Sequence, residues 1–119
     1  MRQEIEARLI KLALTIDSLC KHHNRSYLAQ HITSQIIRSS TSAALNYGES
    51  QAAESKRDFI HKISVVLKEL RETKISLKLI KTYIRAEQMN LFNSCQNECE
   101  QLIAIFYTTL KSIRQNIKP

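Results

Sequence analysis

The stretch FIHKISVVLKELRETKISLKLIKTYI, residues 59–84, decides the fold. Phe59, Ile63, Val66, Leu70, Thr73, Leu77, Ile80 and Ile84 recur at alternating steps of four and three. That spacing lines up one stripe of side chains along an α-helix, the a/d pattern of a helix packed on its neighbours. A strand would need a period of two. Ser55 stands where an N-cap belongs, and Asp58 follows three residues later as its acidic partner. The spacing predicts a helix over about 55–86.

The same alternation appears on both sides of this stretch. Upstream, Ile5, Leu9, Leu12, Ile16 and Leu19 predict a helix over about 3–22, broken at His23-Asn24-Arg25-Ser26. Ser26 is placed to cap the next helix. Downstream, Cys95, Cys99, Leu102, Phe106, Thr109 and Ile113, widened by Ile103, Leu110 and Ile117, predict a helix over about 91–116 with Asn90 as its N-cap. A fourth helix, over about 26–50, differs in kind. After Leu28 and Ile32 its alternation lands on Gln35, Ser39, Ser42, Asn46 and Glu49, a polar seam. Beside the seam run Ile36, Ala43 and Tyr47, flanked by Ile37 and Ala44. Such a seam either faces water or lets helices approach closely, with Gln35 and Asn46 hydrogen-bonding across an interface. Buried polar seams of the second kind set register or oligomeric state.

Short connections favour antiparallel neighbours. The expected fold is all-α: one domain over 1–119, an antiparallel up-down-up-down four-helix bundle. Composition agrees. A chain of 119 residues buries roughly 65% of its unfolded surface, enough for one core without disulfides or metals. Glycine occurs once, at Gly48, and proline once, at Pro119, so most turn signals of β-rich folds are missing. Three cysteines are an odd count without a disulfide framework. The N-terminal residues lack the apolar core of a signal peptide, and no apolar run reaches the length of a membrane span. These features predict a cytoplasmic protein that does not enter the membrane.

Catalytic signatures are weak. Cys95 and Cys99 lie four apart and, with His22, His23, His31 or His61, offer zinc-ligand types. Both cysteines also hold core positions, where a free thiol behaves as a small apolar group, so no metal or cofactor is expected. His22 and His23 suit the C-terminal end of a helix dipole. With a single glycine there is no phosphate-cradling loop. Glu69 and Glu72 resemble a carboxylate pair, but the Glu-x-x-His ligands of a di-iron bundle are missing. Pairing with Arg38 or Arg71 is the better reading. If the second and third helices form a hairpin turning near residues 51–53, Arg38 comes level with Glu69. The expectation is a protein that is not an enzyme.

The cations are better organised. There are 18 basic and 11 acidic residues, a net charge of +7. Arg71, Lys74, Lys78, Lys81 and Arg85 step by three and four along the third helix, and Lys68 extends the row. Residues 68–85 carry six basic side chains against two acids, Glu69 and Glu72. A solvated face usually mixes signs, whereas a one-sign row suits successive phosphates. Tyr27 and Tyr83 are the aromatics best placed to stack on bases. Nucleic acid is the expected partner, held mainly by its backbone, with a protein partner as the alternative.

Two segments carry a family resemblance. Arg38, Ser39, Ser42, Asn46 and Glu49 match the pattern Arg-Ser-x-x-Ser-x-x-x-Asn-x-x-Glu. Lys68, Glu69, Glu72, Thr73 and Leu77 match Lys-Glu-x-x-Glu-Thr-x-x-x-Leu. Together, over about residues 5–115, the chain resembles the small bacterial four-helix proteins encoded in 23S ribosomal RNA intervening sequences. The accessory variability protein of diversity-generating retroelements is a relative of these. Two positions depart from the pattern: Ser50 replaces a glycine after Glu49, and Ser76 replaces an aromatic before Leu77. The resemblance implies a ring-shaped homo-oligomer, typically a pentamer, with the signature residues as candidate interface. It also implies basic surfaces for nucleic acid and, in the retroelement relative, a reverse transcriptase partner. It implies no enzymatic activity.

Overall fold

Ser26 and Ser55 each begin a helix, as their position before an apolar series requires. The Ser26 hydroxyl accepts from the Ala29 amide at 3.0 Å, and the Ser55 hydroxyl from the Asp58 amide at 3.0 Å. Each satisfies one donor that the first helical turn leaves open. The computed structural model describes residues 2–21 and 26–117. It contains α1 (Arg2–Cys20), α2 (Tyr27–Ser50), α3 (Lys56–Ile80) and α4 (Met89–Ile117). Single turns of 3₁₀-helix at Lys81–Tyr83 and Ala86–Gln88 lead from α3 to α4. The first helix ends at Cys20, within two residues of the expected end; His22 and His23, and with them the expected dipole contact, lie outside the described residues.

The cross-helix bonds give the direction of each helix. Between α2 and α3, Lys62 meets Glu49, while Thr73, further along α3, meets Ser39, earlier on α2. Between α3 and α4, Ser64 meets Arg114 and Lys74 meets Glu100. Both pairs of helices therefore run antiparallel. Each helix packs on the next, and α4 closes against α1, where Arg8 meets Glu98. The result is an elongated bundle of 52 × 24 × 23 Å.

The apolar series meet at its axis. Leu9, Leu12, Ile16 and Leu19 of α1 join Ile63, Val66, Leu70 and Leu77 of α3, with Cys99, Leu102 and Phe106 of α4, in one buried cluster. The Tyr47 ring on α2 meets Phe106 edge-on, centroids 5.6 Å apart, across the bundle. Phe59 and Ile5, first in their series, are only half-buried because they lie at one end of the bundle. Leu28 is exposed rather than packed. Phe92 and Leu110 are the buried positions of α4 that replace the half-buried Thr109 and Ile113.

Two boundaries differ from the spacing. The third helix ends at Ile80, not near 86. Thr82, Tyr83 and Ile84 are all poorer helix formers than the Leu and Lys before them, and Ile84 turns extended, with φ −78° and ψ 132°. Ile84 stays buried through this bend, so its place in the apolar series was right while its helix was not. The fourth helix begins at Met89, which puts Asn90 inside the first turn rather than at its cap. At the family's glycine position, Ser50 is buried as the last residue of α2, and its hydroxyl donates to the Tyr47 carbonyl at 2.6 Å. Gly48 lies within the helix with no positive φ.

Candidate functional site

The polar seam of α2 lies against α3 of the same chain. Ser39 is 1% exposed and Thr73 0%, and their hydroxyls are 2.7 Å apart. Thr73 Oγ1 also donates to the Glu69 carbonyl at 2.8 Å. Small hydroxyl side chains at this crossing leave the two helices room to approach. Asn46 Nδ2 donates to the Ser42 carbonyl at 2.9 Å and to its hydroxyl at 3.1 Å. Glu49 accepts from Lys62 at 2.7 Å. Gln35, expected to bond across an interface, is exposed. Much of the signature thus forms one strip of contacts between α2 and α3.

Its centre is Arg38. Nη1 donates to Glu69 Oε2 at 2.9 Å, and Nη2 donates to Glu72 Oε2. The register inferred from a hairpin near 51–53 holds: Arg38 is level with Glu69. The Glu69 residue is 5% exposed, whereas the Arg38 side chain is 49% exposed. Burial pushes the Glu69 carboxyl up, but the Ser42 hydroxyl, the Arg38 guanidinium and Glu72 together outweigh it and hold the group below its ordinary value. Oε1 is buried with no hydrogen-bond partner of good geometry among the described residues. Glu69 and Glu72 in turn raise the Arg38 guanidinium. This is a structural ion pair, and its arginine occupies the carboxylates that a metal would need.

The basic row is divided by the end of α3. Lys68, Arg71, Lys74 and Lys78 lie on the helix, Lys81 caps it, and Arg85 follows the extended Ile84, off the helical row. Lys74 is half-buried and paired with Glu100 at 3.4 Å, and Arg85 lies 4.0 Å from Glu87. Lys68, Arg71, Lys78 and Lys81 are exposed and form no ion pair among the described residues. The acids explain why charge is left over here. Seven of the eleven carboxylates (Asp17, Glu49, Glu69, Glu72, Glu87, Glu98 and Glu100) are engaged by cations of the same chain.

Next to Arg71 the groove between α3 and α4 opens into a cleft of about 330 Å³. Arg71 from α3 and Lys111 and Arg114 from α4 line it, above Leu67 and Leu110. Tyr107 forms part of its wall and is 51% exposed. Arg114 is steadied by a 3.3 Å bond to the Ser64 hydroxyl. Among the described residues no carboxylate lines the cleft. Sequence reasoning missed Tyr107, Lys111 and Arg114. Their signal was present, since Tyr107, Lys111 and Arg114 step by four and three on one face of α4, but no single-helix row of cations marked it. Of the tyrosines singled out for stacking, Tyr27 is 87% exposed, while Tyr83 packs against the core.

The thiols are core groups. Cys20, Cys95 and Cys99 are buried, and Cys99 donates to the Leu70 carbonyl at 3.5 Å. Burial pushes the Cys95 and Cys99 thiols up to about 12. Among the described residues no three His, Cys, Asp or Glu side chains gather into a metal site. No described helix is long and apolar enough to cross a membrane.

Known proteins agree with this architecture. Comparison with curated proteins returns no match. Among solved structures, the chain is similar to a Bacteroides thetaiotaomicron protein of unknown function from the S23 ribosomal protein family, with a TM-score of 0.76 and 29% sequence identity. That match covers 90% of this chain and 98% of the other. The family model described as 23S rRNA-intervening sequence protein matches residues 2–108, which takes in α1, α2, α3 and most of α4. The chain belongs to the 23S rRNA-intervening sequence protein family.

Proposed function

We propose that the protein is a non-enzymatic binder of nucleic acid, acting through phosphate contacts on the α3 side of the bundle. The observation that carries the reading is the set of exposed cations that form no ion pair among the described residues, Lys68, Arg71, Lys78 and Lys81, on a chain whose acids are largely paired elsewhere. Adjacent like charges cost stability in the free protein; a polyanion relieves that repulsion and releases its own counterions. Lys74 and Arg85 contribute less in this reading, because each already has a carboxylate. The test is RNA and DNA binding across a salt series with Lys68, Arg71, Lys78 and Lys81 reversed to Glu. Wild type should bind at low salt and the variant should bind much more weakly, with a shallower salt dependence. Absence of wild-type binding would sink the reading.

Self-association belongs to the same proposal. Leu45 lies seven residues from Arg38 and so on the same side of α2; Ile75 and Leu79 lie three and seven residues from Glu72 on α3. All three are more than half exposed, at 67%, 54% and 54%. With the Arg38–Glu72 pair between them they supply an apolar surface for other copies of the chain, in keeping with the homopentamer that the resemblance implies. Leu45→Glu with Leu79→Glu should lower the mass measured by light scattering. An unchanged mass would remove this surface from the assembly. A second reading makes the same surface the seat of a protein partner, such as a reverse transcriptase. It is favoured if a nuclease-treated pull-down still recovers that protein.

A further inference from the structure

The α3–α4 cleft differs chemically from the open row of lysines. Its cations come from two helices and line a concave space, whereas Lys68 and Lys78 are exposed on α3 and do not line it. Arg71 and Arg114 carry planar guanidiniums, whose forked donors match a phosphate's oxygens better than an ammonium does. One of these, Arg114, is held by Ser64. Beside them, Tyr107 leaves half its surface to solvent although Leu67 and Leu110, immediately below, are almost fully buried. An aromatic ring kept open beside three cations, with no carboxylate among the described lining residues, offers two things together: a site for a phosphate and a face for a base.

We infer that this cleft holds one nucleotide of a single strand, its phosphate among Arg71, Lys111 and Arg114 and its base stacked on Tyr107. The inference rests on the proposed nucleic-acid binding and names the form of the ligand. In a duplex the faces of the bases are covered by their neighbours, so a surface tyrosine finds no face to stack on. An unpaired base presents one. The space of about 330 Å³ is of the size that takes a small ligand. Stacking is tolerant of sequence, so the site selects strandedness rather than sequence.

The experiment measures fluorescence-anisotropy affinities for a labelled single-stranded RNA and for the duplex of the same sequence, at one fixed low salt concentration. Wild type should favour the single strand. Tyr107→Ala should weaken single-strand binding about tenfold, the scale of one base–aromatic contact, while leaving duplex binding unchanged. Tyr107→Phe should keep the preference. Arg71→Glu with Arg114→Glu should weaken both ligands. Equal wild-type affinity for the two forms, or a single-strand affinity unmoved by Tyr107→Ala, would overturn the cleft while leaving nucleic-acid binding intact. Wild type that binds neither form would overturn the underlying reading, and the cleft with it.

Discussion

Arg38 and Glu69 are joined across α2 and α3 by a 2.9 Å bond between Nη1 and Oε2, with the carboxylate buried and the guanidinium half in water. Such a pair is asymmetric. Removing the exposed partner strands a charge in the interior, and removing the buried one leaves a solvated arginine. Arg38→Ala should therefore cost about 1–3 kcal/mol, the penalty for leaving a buried polar group unsatisfied. The exposure of Arg38 holds this below the cost of breaking a fully buried pair. Arg38→Ala with Glu69→Gln should recover part of the loss. Urea midpoints of the wild type and the two variants measure it.

The same pair sets a pH dependence. In the wild type Glu69 is held below its ordinary value, so its contribution is complete above about pH 4.3 and is lost as pH falls through the lower folded value. In Arg38→Ala the largest remaining influence is burial, which raises the carboxyl. Without Arg38 two of the causes that lower the carboxyl are gone, so it lies higher in the variant than in the wild type, and the variant loses less stability than the wild type as pH falls through the acid range. The gap between wild type and variant should narrow over that range in urea titrations. A gap that widens would mean that Arg38 does not control Glu69.

Ser39 and Thr73 test how α2 and α3 approach each other. Each hydroxyl can still donate to its own helix, to the Ile36 carbonyl at 3.3 Å and the Glu69 carbonyl at 2.8 Å. Ser39→Ala or Thr73→Val should each cost about 1 kcal/mol, and the double variant less than their sum, because both remove the same bond. Additive losses in a double-mutant cycle would show that the hydroxyls are not coupled.

How much of this was legible in the sequence depends on the origin of each residue's signal. Leu9, Leu12, Ile16 and Leu19 were readable because burial and helical period coincide. So was the Arg38–Glu69 register, once a hairpin near residues 51–53 was assumed. The end of α3 was not: Ile84 keeps the apolar spacing while the backbone leaves the helix, and no Gly or Pro marks the change. The seam of Ser39, Ser42 and Asn46 was visible, but a single chain's period cannot say whether water, a neighbouring helix or another copy covers a polar stripe. The cleft escaped for a related reason. Arg71 and Arg114 are 43 residues apart, and only the antiparallel packing of α3 on α4 brings them together.

Gly48 provides a stabilising prediction. It lies inside α2, exposed, with no atom within 4 Å of an added Cβ and no positive φ. Gly48→Ala should raise stability by about 0.5–1 kcal/mol through helix propensity and reduced unfolded-state entropy. A rise in thermal midpoint checks it, and a fall would mean that the position meets something beyond this chain.

The cysteines should be silent in the native protein. With Cys95 and Cys99 pushed up to about 12 by burial, almost no thiolate forms at these two near pH 8, and Cys20 is also raised and buried. Ellman's reagent should react only as the protein unfolds, and then with all three thiols, whose ordinary value is about 8.5. Rapid native labelling would contradict the packing of α4, for Cys95 and Cys99, or of α1, for Cys20.

The salt dependence of RNA binding tests the phosphate-contact reading most directly. The logarithm of the binding constant for wild type should fall linearly with the logarithm of salt concentration. Replacing Lys68, Arg71, Lys78 and Lys81 by Glu should lower that slope by roughly 2–4, close to one unit for each phosphate that the variant no longer neutralises. A wild type that fails to bind at low salt, or a variant with the wild-type slope, would contradict it.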